Sequence, residues 1–361
     1  MQRGARALLA IGLTLAAAQA RAATFDLAID VPSRLDGADY GPDQLLRRDG
    51  GATALLAQLP AGTALGALHR KADGNWLLVP DRPLVLGGVP GEPRDVLSWD
   101  GVGFALWFDG SAAGVPDGSR IDALGLDPLG RAVVSFDVPT TIGTATFLPA
   151  DLALETAGVF APYWTAAAAG VPSDANVVGA DETADGRLVL TFDVPVELGG
   201  VEALPGQLVE WLGGTSFALY ASDPSWPAAT QLRDFALLPP AGVVPTALLV
   251  SRSGNTVTLD WSASCAATDG DYAVYEGTLG SFTTHVPRLC STGGLETATF
   301  VPVAGNAYYL VVPRNEVSEG SYGLRSDGAE RSASVASCRP QALGACGDAS
   351  ASLPEREPGS R

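Results

Sequence analysis

Basic residues are scarce in this 361-residue chain, and two residue types are almost missing. Lysine occurs once, at Lys71, methionine once, as the initiator, and histidine twice, at His69 and His285. With 22 Lys plus Arg against 40 Asp plus Glu, the formal charge is −18. A surface of that sign repels nucleic acid and anionic lipid at long range, which argues against both as partners. It suits solubility or a divalent cation. The two histidines lie far apart, so neither a histidine metal cluster nor a conventional Ser-His-Asp set fits within one domain. The motifs G-x-S-x-G, H-E-x-x-H and G-x-x-x-x-G-K-[ST] are all missing. Their absence removes the usual nucleophile-elbow, zinc-hydrolase and phosphate-cradle signatures. Paired carboxylates have no fixed spacing, and they remain the one catalytic arrangement that so acidic a chain leaves open.

Long apolar runs are also lacking. The run at 7–18 is too short to span a bilayer comfortably, and nothing later approaches the roughly 20 apolar residues a spanning helix needs. Arg3 and Arg6 precede that run and Ala20-Arg21-Ala22 follows it, so residues 1–22 read as an export signal peptide. A mature start near Ala23 and a secreted or periplasmic location are predicted, with no membrane span. Cleavage would remove three arginines and no acid, taking the charge from −18 to −21. Only four cysteines occur, Cys265, Cys290, Cys338 and Cys346, all in the last hundred residues. An even number in an exported chain predicts two disulfides. Three pairings are possible, and the sequential one, Cys265 with Cys290 and Cys338 with Cys346, is favoured because it needs only local closures. No C-x-x-C pair is present to begin a zinc site.

What the sequence does have is a repeat. Residues 74–83 (GNWLLVPDRP), 130–139 (GRAVVSFDVP) and 186–195 (GRLVLTFDVP) each begin 56 residues after the last. The register extends through Gly87, Gly143 and Gly199, through Gly114-Val115-Pro116 and Gly170-Val171-Pro172, and at two periods through Trp99 with Trp211 and Asp122 with Asp234. Self-similarity at a fixed period marks a repeat architecture. Within one unit, residues 95–99, 104–109, 121–126 and 131–137 are short, β-rich and separated by Gly, Asp or Pro, which predicts four antiparallel strands per unit. The last unit stops at Pro239-Pro240 without its second strand of the GRLVLTFDVP type. Residues 24–32 (TFDLAIDVP) align without a gap to 131–139 and supply the missing strand. The expectation is an all-β chain whose residues 23–240 form a four-bladed β-propeller-like repeat domain, closed by an N-terminal strand that removes a free sheet edge. Its blades are drawn as two strands in 44–59 with two in 65–81, full units starting near Asp95 and Asp151, and a last unit shared between the ends. In size and closure this resembles the hemopexin-type ring, in topology only. A transmembrane barrel has longer strands than these, and a two-sheet sandwich is the other rival.

From about Val244 the pattern changes. Residues 247–252, 256–262, 271–276, 297–303 and 307–312 alternate like the strands of a sandwich. Trp261, Tyr272, Tyr275, Tyr308 and Tyr309 give 244–340 the core pattern of a fibronectin type III module, an immunoglobulin-like β-sandwich. The resemblance implies a spacer or adhesive unit and no chemistry. Residues 341–361, rich in Ala, Gly, Ser, Pro and Glu, are expected to be a disordered tail.

Three sets of residues are candidates for a site. Asp30, Asp81, Asp137 and Asp193 fall at one matching strand end per unit. Together they could hold Ca2+, a cation that takes 6 to 8 oxygen ligands, whereas each Asp-x-Pro could equally accept backbone N–H bonds in a turn. Residues 181–186 (DETADG) vaguely resemble a calcium loop but fit a hairpin turn better. Trp99, Trp107, Trp164 and Trp211 follow the repeat and read as core. Trp226, in DPSWP, has no strand to explain it and is the best candidate for an exposed ligand contact. The chain therefore reads as an exported, non-catalytic binding or scaffold protein with an unknown protein or glycan partner. A carbohydrate-active enzyme using paired carboxylates in the repeat domain is the alternative.

Overall fold

The computed structural model describes residues 23–222, 226–227, 230–303, 305–344 and 346, so the predicted signal peptide lies outside the described residues. Among them every regular element is a β-strand apart from one short 3-10 turn, Ala166–Ala169, and no helix is long and apolar enough to cross a membrane. Residues 24–237 form four four-stranded antiparallel sheets. Sheet I runs Leu65–Arg70, Trp76–Pro80, Val96–Trp99 and Phe104–Phe108 from its inner to its outer edge. Sheet II runs Ile121–Leu126, Ala132–Phe136, Leu152–Thr156 and Val159–Trp164. Sheet III runs Val177–Glu182, Leu188–Phe192, Leu208–Gly213 and Ser216–Ala221. Sheet IV begins with Leu232–Leu237 and is completed by Thr24–Ile29, Gln44–Asp49 and Ala52–Gln58.

The strand expected from the repeat phase is thus where it was placed: Thr24–Ile29 pairs antiparallel with Leu232–Leu237, with Phe25 opposite Leu237 and Leu27 opposite Phe235. Two details differ from expectation. The N-terminal segment supplies three strands of sheet IV, not one, and the strands in 44–59 pair with Thr24–Ile29, not with those in 65–81. The four-strand unit drawn at 95–137 is likewise cut in two, its first pair closing sheet I and its second opening sheet II. Both hairpins were read correctly. Which hairpins share a sheet is decided by the segment between second and third strands. That segment holds a small extra hairpin in every sheet, such as Val196–Leu198 with Val201–Ala203. Its tight turn needs two residues at positive φ, supplied by Gly199 at 57° and Gly200 at 94°.

Inner and second strands are buried along almost their whole length, as in Trp76–Pro80 and Leu188–Phe192, because both faces meet a neighbouring sheet. Outer strands such as Ala52–Gln58 expose most residues. Four apolar cores fill the spaces between sheets: Ile121, Phe136 and Phe147 with Val79 between I and II, and Leu152, Trp164 and Leu190 between II and III. Phe25, Leu46 and Leu208 lie between III and IV, and Leu45, Leu65 and Trp76 between IV and I.

Residues 249–314 form two three-stranded antiparallel sheets, Leu249–Ser253, Thr256–Asp260, Thr297–Phe300 and Val286–Leu289, Asp271–Thr278, Ala307–Arg314, in those spatial orders. They share a core of Leu259, Trp261, Tyr272 and Val274. This half is tied to the sheets before it by Asn315, whose amide donates to the carbonyls of Pro239 at 3.1 Å and Pro240 at 3.2 Å.

The cysteines pair as Cys265–Cys346 and Cys290–Cys338, which corrects the sequential pairing. Local closure was the wrong criterion, because the chain after Cys338 turns back to pair with the linker. Ala241 bridges Leu343, and Glu319 bridges Gln341. The ordered chain therefore reaches past 340, and 347–361 lie outside the described residues.

Candidate functional site

The inner edge of each sheet leaves backbone N–H groups without a strand partner, and buried N–H groups need acceptors. Two acids meet that need. Asp234, fully buried on the inner strand of sheet IV, accepts the Leu68 N–H at 2.9 Å and the Leu124 N–H at 3.0 Å through one oxygen and the Phe235 N–H at 2.7 Å through the other. One carboxylate so joins sheets I, II and IV. Asp181, on the inner strand of sheet III, accepts the Leu237 N–H of sheet IV at 2.8 Å and the Glu182 N–H at 2.8 Å. The strands approach closely enough here that a Cβ on Gly179 would strike Asp234, Thr191 and Phe235.

Every inner strand carries a bulge near its start, between Leu65 and Ala67, Ile121 and Ala123, and Val177 and Gly179, and opposite Ala28/Ile29 in sheet IV. In sheet II the bulged residue is Asp122, and in sheet IV it is Arg233. Asp234 therefore stands one place beyond the position that a two-period match with Asp122 implies, and it turns to the meeting strands. Asp122 instead holds Arg120 and the Asn176 amide at the opposite ends of the inner strands.

His69 completes the group from sheet I. It is 8% exposed, its Nδ1 lies 3.6 Å from Asp181 Oδ2, and that nitrogen has no hydrogen-bond partner among the described residues. Burial, and secondarily the charge of Lys71, lowers the His69 pKa to about 4. Burial raises Asp181 to about 7 against its two backbone donors, and burial likewise raises Asp234 well above the usual carboxylate value. At neutral pH the imidazole is uncharged and Asp181 is poised between its two forms.

A cavity of about 600 Å3 opens above these groups. Its wall takes His69, Asp127, Asp181, Glu182, Leu237 and Pro239 from chain that ends or follows the inner strands, and Thr268 from the C-terminal half. Burial raises Glu182 despite the hydroxyl of Tyr163, which donates to it. Two further wall acids carry their own cations, Asp73 bonded to Lys71 at 2.7 Å and Asp127 to Arg131 at 2.6 Å. For both, these cations and nearby backbone N–H groups outweigh burial and lower the pKa.

The acids singled out in the repeat occupy equivalent places. Asp30, Asp81, Asp137 and Asp193 each follow a second strand, with the main-chain N–H bonded to the residue that precedes or opens the inner strand, at Gln231, Ala64, Arg120 and Asn176. Asp30 and Asp137 also accept the Gln231 and Arg120 N–H groups at 2.8 Å, as turn carboxylates do. Asp81 and Asp137 line one cavity of about 340 Å3, shared with Arg94 and Arg120, while Asp30 and Asp193 do not line it. The four are not gathered into one calcium site, and no group of three or more His, Cys, Asp or Glu among the described residues is placed to hold a metal ion. Residues 181–186 form the end of one strand and a turn, with Gly186 N–H on the Thr183 carbonyl at 2.8 Å.

Trp226 is half-buried against the core that contains Phe25 and Leu208, and its indole N–H donates to the Thr230 carbonyl at 2.8 Å. It folds onto the sheets instead of standing out as a contact. Trp99, Trp164 and Trp211 pack in the cores, whereas Trp107 is 37% exposed on an outer strand. His69, Asp181 and Glu182 were not recognised as a group. Two signals were there to be read: charged residues in strands otherwise apolar on both faces, and the spacing of His69 and Asp181, which stand two periods of 56 residues apart.

No family model matches the chain, and no curated protein matches it. Solved structures similar to it include "YCF48 bound to D1 peptide", at 14% identity and a TM-score of 0.24 over 70% of this chain and 78% of that one. A protein of unknown function from Bacteroides caccae is 11% identical, with a TM-score of 0.25 over 66% of this chain and 65% of that one. The extracellular domain of the putative hybrid two-component system BT3049 from B. thetaiotaomicron is 12% identical, with a TM-score of 0.25 over 80% of this chain and 42% of that one. Overlap at this level transfers neither ligand nor partner to the present chain.

Proposed function

We propose that sheets I to IV are the blades of a closed four-bladed β-propeller, that residues 244–340 are an immunoglobulin-like sandwich of fibronectin type III character, and that the chain is an exported, non-catalytic binding protein whose ligand sits in the cavity above His69 and Asp181. Closure is supported by the cyclic order of the four apolar cores and by Asp234, which reaches the inner strands of two other sheets. Export is supported by the N-terminal pattern and by two disulfides, which persist in oxidising compartments. The observation that carries the binding reading is the cavity itself. It has the volume of a small-molecule site, and its wall combines apolar residues such as Leu126, Leu237 and Leu238 with the polar His69, Asp181 and Glu182.

The reading is tested by exposing the full chain to a glycan array, a peptide panel and hydrolase substrates, beside an Ala184→Trp variant. Ala184 is exposed on the cavity wall, so an indole there closes the entrance without touching the core. Binding without turnover, lost in the variant, is expected. Turnover abolished by Asp181→Asn or Glu182→Gln would replace this reading with the carbohydrate-active one.

A further inference from the structure

The two three-stranded sheets of the C-terminal half do not cover each other evenly. Val250 stands opposite the buried Leu259 and so turns to the shared core, yet it is 56% exposed. The facing sheet stops short of it, because Ala307–Arg314 is the last strand there and among the described residues none pairs with its outer edge. Which main-chain groups this leaves open follows from two hydrogen bonds. The Leu279 N–H meets the Asn306 carbonyl on the inner side, and the Gly320 N–H meets the Pro313 carbonyl on the outer side. Main-chain groups change edge from one residue to the next, so those of Tyr309 and Val311 face outward with Pro313. The side chains of both pack on the core of Leu259 and Trp261. A slot follows this edge, from a cavity of about 480 Å3 lined by Val244, Leu248 and Val311 to one of about 540 Å3 lined by Val250 and Arg252, with Tyr309 on the wall of both. Main-chain donors and acceptors in a row beside an apolar floor are what an added β-strand recognises.

The chain itself arrives at one end of this slot. Leu343 and Gly344 line it, and Cys346 is bonded to Cys265, whose Sγ accepts the Val243 N–H at 3.3 Å. Bridges from Gln341 to Glu319 and from Glu319 to Arg314 put this end beside the C-terminus of Ala307–Arg314. Next in sequence come Gly347 and then Asp-Ala-Ser-Ala-Ser-Leu at 348–353, closed by Pro354. Ala349, Ala351 and Leu353 alternate with serines, the period of a strand with one apolar face, and Pro354 lacks the N–H to continue a ladder. Six residues extend about 20 Å as a strand, enough to pass from Val311 to Ala307. We infer that residues 348–353 dock in the slot as a fourth strand of this sheet, antiparallel to Ala307–Arg314, with Ala349, Ala351 and Leu353 turned to Leu248 and Val250. The opposite charges of Glu355 and Arg252 then fall at the same end.

The test is amide hydrogen exchange, read by NMR at Tyr309 and Val311, in the full chain and in a variant stopped after Cys346, which keeps both disulfides. Exchange at these two amides is expected to be about tenfold faster in the stopped variant, with Leu259 and Val274 unchanged as the sign of an intact core. Leu353→Asp, which keeps the segment but not its apolar face, is expected to speed the same two amides, and it decides the matter should the stopped variant lose its core. A synthetic peptide of residues 347–361 is expected to bind the stopped variant in calorimetry, to restore the protection, and not to bind the full chain. Fast exchange of Tyr309 and Val311 in the full chain, or equal exchange in all three chains, overturns the inference. Peptide binding to the full chain overturns it in favour of a slot open to another protein's strand. A dimer seen by light scattering only when 347–361 are present would place the strand in a second copy and overturn docking within one chain.

Discussion

Asp181 and His69 face each other with opposite dependences on pH. Asp181 holds its proton to about 7 in the folded chain against 3.8 in the open one, so its contribution to stability is full in acid and is lost as pH rises through that window. His69 is displaced the other way, from 6.5 to about 4, and its contribution is absent in acid and gained as pH rises between those values. The melting temperature of Asp181→Asn minus that of wild type should therefore climb from about pH 4 to about pH 7, while the same difference for His69→Gln should fall from about 4 to 6.5. Parallel, flat differences across that range would refute the burial argument for both. Asp234 has a different task. Its removal in Asp234→Ala leaves the Leu68, Leu124 and Phe235 N–H groups without their acceptor, at a cost of roughly 2–5 kcal/mol by urea unfolding. An unchanged midpoint would mean that water takes the place of the carboxylate.

At the scale of strands and turns, the pairing of Thr24–Ile29 with Leu232–Leu237 makes a core position in the first strand as important as one in the last. Leu27→Ala, at a fully buried site, should cost about 2–5 kcal/mol, against little for Leu56→Ala on the exposed outer strand of the same sheet. Equal effects in denaturant melts would argue against the register. The hairpin turn in sheet III offers a finer contrast. Gly199→Ala directs a Cβ onto the Thr215 carbonyl at φ 57°, while Gly200→Ala at φ 94° meets open space. Both are strained by roughly 1–3 kcal/mol, and Gly199→Ala should give the lower urea midpoint. The repeat made the two-strand hairpins and the pairing of the chain's ends legible, because both follow from period and phase. It hid the four small hairpins, whose three-residue strands look like Asp-x-Pro turns, and with them the grouping of hairpins into sheets. The site was hidden for another reason. His69 and Asp181 stand two periods apart on two inner strands, but Gly125 and Leu237 hold the same phase in the other units, so the residue type does not repeat and the pair stands out only when sheets I and III are assembled.

For the molecule as a whole, the disulfides decide how the C-terminal half is held. Cys265–Cys346 closes 81 residues and Cys290–Cys338 closes 48, each worth about 4 kcal/mol in the chain-entropy account. Replacing Cys265 and Cys346 together by Ser should release the segment that bridges Ala241 and Glu319, read as faster hydrogen exchange at Ala342 and Gly344, with the Leu27 core unaffected. Loss of protection throughout sheets I to IV would instead mean that the two halves unfold as one. Sheet IV also imposes an order on synthesis. Residues 24–58 are made first, yet their inner neighbour, Leu232–Leu237, is made some 175 residues later. Until then an apolar three-stranded fragment waits with an open edge, and a chain with such distant partners folds slowly. A nascent polypeptide of this kind stays threadable for most of its synthesis, and its first strands are the ones a holding chaperone would meet.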